Sequence, residues 1–365
     1  MAFHHTFLEE LQNQQQQANT SSTINNNNPI TTTISTKTLP PLPPSIESAA
    51  KLTITWQYLL SPLLGAYLPN FISSILGIST SYNSSDSKAW KATPFSYNPR
   101  NHNTGLDLIT LDAKTLIDLL RICRTKGAKL TGILHQAVVH ALSLALTARG
   151  KLNDTTTFVA TTPLDLRNLV SEHNKTNNTF INCVSGANET LPAHPPRDIH
   201  ITEATWARAR QTSTYLASRA STLIDQPIGL LAYLSNYKTY MQKQLGNRRS
   251  DTYEISNLGN IIPLPTNLAD PMLDTAAQGI KQKVMDSIAG HRTTTTGWTI
   301  EQMVFVQPAN AIGAALNFNV VSTSRGGLIM TVTWQRVVLG LEDEGGFARE
   351  VCGHVEKFLV SACEE

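Results

Sequence analysis

The apolar positions of this 365-residue chain fall into stretches of very different character. Phe3, Phe7, Leu8 and Leu11 recur at helical spacing, so residues 1–12 predict a helix. Beyond it the pattern vanishes: QNQQQQANTSSTINNNNPITTTISTKTLPPLPPS holds almost no apolar mass and almost no charge. Such a tract cannot offset its ordering entropy by burial, and 13–50 is expected to be a low-complexity, disordered insertion. Between Lys51 and Asp86 there is no charged residue, and WQYLLSPLLGAYLPNFISSILGIS is strongly apolar. Pro62, Pro69, the Ser and Asn interruptions and the lack of flanking basic anchors argue against a membrane span. The expectation for 56–80 is a helical hairpin, buried or in peripheral contact with a membrane.

From Leu106 onward, alternating and helical patterns take turns and predict an α/β (α+β) fold. LDLITLD reads as a strand; residues 113–124 read as a helix with Leu116, Leu119, Leu120 and Cys123 on one face, ended by Gly127. Thr131 is placed to N-cap the next helix, GILHQAVVHALSLALTARG, which is apolar nearly all round and therefore buried. TTTFVATTPLDLR reads as a strand entering a turn at Pro163, and FINCVSGANETL as another strand. Residues 200–222 and 226–245 predict helices. TYEISNLGNI predicts a strand broken at SNLG, and MVFVQPA, GAALNFNVVST and GLIMTVTWQRVV predict three more, with RGG as a turn between the last two. A helix over about 343–363 closes the chain, and no internal repeat is visible.

Composition narrows the function classes. Lys and Arg total 29 against 27 Asp and Glu, and no basic cluster occurs, so nucleic acid is not an expected partner. Charged residues are 15% of the chain, below the usual figure of about 25%, and Thr, Ser, Asn and Gln take their place. Cys123, Cys183, Cys352 and Cys363 form no CxxC pair, which excludes a zinc ribbon and fits a reducing compartment. No signal peptide is visible, so the expected location is cytoplasmic, with peripheral contact to the endoplasmic reticulum or lipid droplets through 56–80, and not secreted. GxSxG, GxxxxGK, GxGxxG and HExxH are all absent. His135 and His140 lie about 140° apart around one helix and cannot share a metal ion. They read as ordinary core histidines, and no metal site is expected.

Two segments stand out chemically. TTPLDLR puts Asp165 and Arg167 two apart at a strand end, the spacing of an ion-paired turn that fixes the backbone. SNLG puts Ser256, Asn257 and Gly259 where a strand should continue, and glycine within a strand often marks a kink or the close approach of a ligand. Taken in order, the Cys-Arg stretch before LTGILHQAVVHAL, the P-x-D-L-R turn, S-N-L-G and the paired late strands ending in TWQ resemble the fungal alcohol acetyltransferase family. That family belongs to the CoA-dependent acyltransferase superfamily, with chloramphenicol acetyltransferase, the plant BAHD enzymes and peptide-synthetase condensation domains. The resemblance covers most of residues 90–360.

The resemblance implies two α/β subdomains meeting along a tunnel. Acetyl-CoA enters from one face as a co-substrate, with no permanently bound cofactor, and an alcohol acceptor enters from the other. A small alcohol and a hydroxylated secondary metabolite are both open as acceptor. A histidine in an HxxxDG motif would act as general base, with donors placed for the tetrahedral oxyanion. By resemblance, Ser256, Asn257 and Gly259 would lie near the thioester, and Asp165 and Arg167 would brace the tunnel wall. The first-subdomain remainder is expected over 51–150, the second subdomain over 151–365, and the protein is expected to be a monomer.

The opening MAFHHTFLEEL bears on the base. Its Phe3-His4, Phe7-Leu8 and Leu11 fit the helix that follows HxxxDG in such families, whereas the motif itself would require Asp and Gly at the positions of Glu9 and Glu10. No HxxxDG motif occurs in these residues, so the catalytic histidine is expected upstream of Met1 and the first subdomain is expected to be incomplete. Two rival readings stay open. One is a catalytically inactive remnant that keeps a CoA- or ligand-binding cleft; the other is an interaction protein recruited through its Gln/Asn tract and apolar 56–80 segment.

Overall fold

A computed structural model describes residues 45–60, 88–170, 182–194, 201–261, 300–323 and 326–364. The chain divides into two compact units, one formed by Met1–Leu42 with Ile261–Glu301, the other by Pro43–Asn260 with Gln302–Glu365. The first unit lies almost wholly outside the described residues, as do the expected helix 1–12, nearly all of the tract 13–50, and the apolar segment beyond residue 60. The second unit carries the sheet and the helices packed on it.

Its elements in chain order are α1 (Ile46–Ala49), β1 (Thr104–Leu111), α2 (Ala113–Thr125), α3 (Leu130–Thr147), β2 (Thr157–Asp165), β3 (Val184–Pro192), α4 (Glu203–Ala220), α5 (Tyr237–Lys243), β4 (Tyr253–Ile261), β5 (Leu316–Thr323), β6 (Gly327–Gln335) and α6 (Glu344–Ser361). The strands form one sheet in the order β1-β6-β5-β4-β2-β3. β1 and β5 flank β6 antiparallel, β3 runs antiparallel to β2, and β2 meets β4 parallel. β1, from before residue 150, pairs with β6 near the end of the chain.

Local chemistry accounts for the element ends. The Asp112 carboxylate accepts the Thr115 N–H at 2.8 Å and caps α2, and Gly127, at φ +69°, carries the chain out of it. Helix α3 is apolar on every side because α2, α4 and α6 all pack on it. It is the one described helix long and apolar enough to cross a membrane, and it is buried in the core.

The sheet has two unlike faces. Leu316, Phe318 and Val320 of β5 and Leu328, Met330, Val332 and Trp334 of β6 join the apolar core beneath the helices. The alternate positions, Asn317, Asn319, Thr331 and Thr333, are polar yet fully buried. Across this face runs 302–308, where the Thr331 hydroxyl donates to the Phe305 carbonyl at 2.7 Å and the Thr333 hydroxyl to the Gln307 carbonyl at 2.9 Å. MVFVQPA, expected as a strand, is therefore irregular: its carbonyls bond to side-chain hydroxyls instead of joining the ladder.

Other expectations shift in ways that have physical reasons. Thr131 is not the N-cap of α3: the helix starts from Lys129, whose backbone N–H donates to Ser213 Oγ of α4 at 2.9 Å. The single helix expected over 226–245 is a 3-10 turn at Pro227–Tyr233 followed by α5, because Pro227 opens the turn and the Asn236 side chain caps a new helix. β2 continues through Pro163, and β4 runs unbroken through SNLG.

Candidate active site

Pro163 organises the site. The Leu166 N–H donates to the Cys183 carbonyl at 2.8 Å, so the even-numbered amides of β2 face β3. The odd-numbered ones face β4, where the Val159 N–H donates to Thr252 Oγ1 at 3.1 Å. The β2–β4 ladder has only the rungs Ala160–Tyr253 and Thr161–Glu254. The next odd amide would be that of residue 163, and proline has none to give. Beyond that rung, Pro163–Asp165 and the Ser256–Gly259 stretch of β4 run on without pairing to each other. Central strands normally pair throughout, so this fork is a break in the sheet with a residue-level cause.

On the β2 side, the Arg167 Nε donates to both carboxylate oxygens of Asp165 at 2.9 Å, and the Arg167 backbone N–H adds a 3.0 Å bond. Burial would raise the Asp165 carboxyl, but the Arg167 side-chain and backbone bonds together hold it below its ordinary value. The pair is half exposed and closes the turn on itself. This is the ion-paired turn that its spacing predicts.

The β4 side is tied to another element. Asn257 Nδ2 donates to Thr131 Oγ1 in the first turn of α3 at 3.2 Å, and Asn257 Oδ1 accepts the Gly259 N–H at 2.8 Å. Gly259 sits at φ +73°, a conformation that favours glycine, with open space where a side chain would point. Ser256, the neighbour of Asn257 on an alternating strand, faces the opposite side of the sheet and is buried. Ser256 and Asn257 therefore do not act as one adjacent pair.

Two groups at the fork were not singled out as site residues by the sequence pattern. His135 of α3 is 1% exposed; its Nδ1 lies 3.0 Å from the Tyr253 hydroxyl and its Nε2 2.9 Å from Thr162 Oγ1. Burial pushes the imidazole down to about 3, so the ring is neutral. Glu254 stands at the last rung, and burial, reinforced by the Asp251 carboxyl, raises it to about 7. The one signal for His135 was its place on an all-apolar helix, where a polar side chain must find partners. Its partners lie 118 and 27 residues away and were not readable.

No group of three or more His, Cys, Asp or Glu side chains among the described residues could hold a metal ion. The four cysteines are free thiols.

The sequence model of a family described as alcohol acetyltransferase matches residues 1–267. That stretch includes both sides of the fork. The chain belongs to the alcohol acetyltransferase family. A probable alcohol acetyltransferase, FCK4, of Fusarium pseudograminearum is 24% identical over 256 residues, covering 69% of this chain and 45% of that protein. Among solved structures, the trichothecene 15-O-acetyltransferase TRI3 of Fusarium sporotrichioides superposes with a TM-score of 0.53 at 14% identity, covering 88% of this chain and 56% of that one. The epimerization domain from the third module of tyrocidine synthetase B aligns with a TM-score of 0.46 at 15% identity, over 84% of this chain and 57% of its own. The mixed α/β fold is thus that of the acetyltransferase family. The chain spans about half the length of the relatives it matches.

Proposed function

We propose that this chain forms part of an O-acyltransferase that moves an acetyl group from acetyl-CoA to an alcohol. The observation that carries this reading is positional: Pro163–Arg167 and Ser256–Gly259, both inside the family match, lie on the two sides of one break in the sheet. In the reaction, the acceptor oxygen forms a bond to the thioester carbonyl carbon and the carbon–sulfur bond breaks. The acceptor proton passes to a base and then to the departing thiolate. A neutral imidazole suits that base. The 365 residues contain no HxxxDG motif, and His135 already engages a hydroxyl at each ring nitrogen. The role proposed for this part is therefore to hold the thioester, with Gly259 leaving room for close approach and Asn257 fixing the strand that carries it. Asp165 and Arg167 stiffen the opposite side.

The engagement of both His135 ring nitrogens favours a second reading, a CoA-binding protein without transfer activity. Incubating the full-length protein with acetyl-CoA labelled in the acetyl group and a panel of small and terpenoid alcohols separates the two. Labelled ester with release of free CoA supports the transferase. Saturable CoA binding in calorimetry without ester supports the binding protein, and the absence of both ester and binding overturns both readings. We further propose peripheral membrane contact at the start of the apolar segment, where Trp56 is 74% exposed and Leu60 is also exposed. Failure to float with phospholipid vesicles would remove it.

A further inference from the structure

We propose that His135 is a positioning residue, a clamp that fixes the spacing of β2 and β4 at the point where their ladder ends and so places the Pro163–Arg167 turn relative to Ser256–Gly259. The geometry is specific. Tyr253 belongs to one of the two rungs of the parallel ladder, and Thr162 is the first β2 residue past the last rung. His135 reaches one of them with each ring nitrogen, from a helix packed beneath the sheet. A neutral imidazole offers one donor and one acceptor, and each hydroxyl can play either part, so both bonds form at once. The tyrosine end is braced further: its ring lies 5.6 Å from the His135 ring and meets Phe318 of β5 edge-on at 6.0 Å. The same helix holds Asn257 through Thr131, one turn earlier. Helix α3 therefore supplies, through side chains, the cross-links that the backbone ladder loses at Pro163.

A side chain that merely filled the core would need no polar atoms there, and leucine would serve better. The proposal deepens the acyltransferase reading, and rests on it only for the consequence in turnover. The test compares full-length wild type with His135→Gln, His135→Leu, Tyr253→Phe and Thr162→Val by backbone amide exchange and steady-state kinetics. Exchange in 164–169 and 255–260 is expected to rise about tenfold in His135→Leu, with the rest of the sheet nearly unchanged, and His135→Gln is expected to restore part of the protection. kcat is expected to fall in step while the KM for acetyl-CoA moves less. Faster exchange spread evenly over the sheet, or none at the fork, overturns the clamp. If His135→Leu does not fold, Tyr253→Phe and Thr162→Val, which each remove one hydroxyl, test the clamp by the same exchange pattern. A wild type that transfers no acetyl group counts against the proposed function, and exchange alone then decides the clamp.

Discussion

The two sides of the fork solve the same problem differently. On β2, Asp165 and Arg167 hold each other across two residues, half exposed, and reach no other element through that bond. On β4, Asn257 reaches across 126 residues to Thr131, and Tyr253, at the base of the same strand, reaches His135. One side is a self-contained turn; the other is fixed by a helix. Water competes for the half-exposed Asp165–Arg167 pair and hardly for the buried His135–Tyr253 bond, with the part-buried Asn257–Thr131 bond between them, so the two sides are held unequally. A local salt bridge sets a turn, whereas a buried long-range bond sets where a strand lies.

The largest effect is expected where the helix itself is displaced. A Cβ at Gly132 would overlap the Ala209 carbonyl and Ser213 Oγ of α4, so Gly132→Val should cost about 3 kcal/mol by urea denaturation. Loss of about 1 kcal/mol or less would show that α3 is free to shift, and that the β4 side is not rigidly held.

Per unit of pH, acid comes next. Folding holds His135 at about 3 and His194 at about 4, both below the ordinary histidine value, and burial is the main cause in each. The unfolded chain therefore binds more protons below about pH 6.5. Their contribution is complete above that pH and is lost as the pH falls toward the folded values, at about 1.4 kcal/mol per pH unit for each histidine. His135→Gln should flatten that acid limb; an unchanged slope would assign it to other groups.

Asn257→Ala removes two bonds and leaves Thr131 Oγ1 and the Gly259 N–H without this partner, an expected loss of about 1–2 kcal/mol. In full-length protein it should also lower turnover, and unchanged kinetics would remove Asn257 from the site. The smallest effect is expected from Asp165→Asn, below about 1 kcal/mol, because the pair it breaks is half exposed. If the Asp165 variant proved the more costly of the two, the contrast between the sides would be reversed.

Much of the scaffold was legible in the residues. Strand β1, helices α2 and α6 and the late pair β5–β6 lie where alternation and helical spacing put them, since each pattern is set within a few residues. The Asp165–Arg167 turn was legible for the same reason. The expected break at SNLG misled, because Gly259 adopts its positive φ within a continuing strand. The expected turn at Pro163 misled differently: its missing N–H costs a rung on the β4 side alone, while pairing to β3 continues.

By itself the sequence determined most of the helices and strands, that one helix is buried on all sides, and that Asp165 meets Arg167. Only the tertiary structure decided that β2 lies beside β4, that Pro163 faces that seam, and that His135 and Thr131 close on Tyr253, Thr162 and Asn257. The reason is physical. Periodicity, capping and short-range charge act along a few residues of chain, whereas strand order and register emerge from burying the whole sheet at once, and no local pattern records which hydroxyl will meet which ring nitrogen.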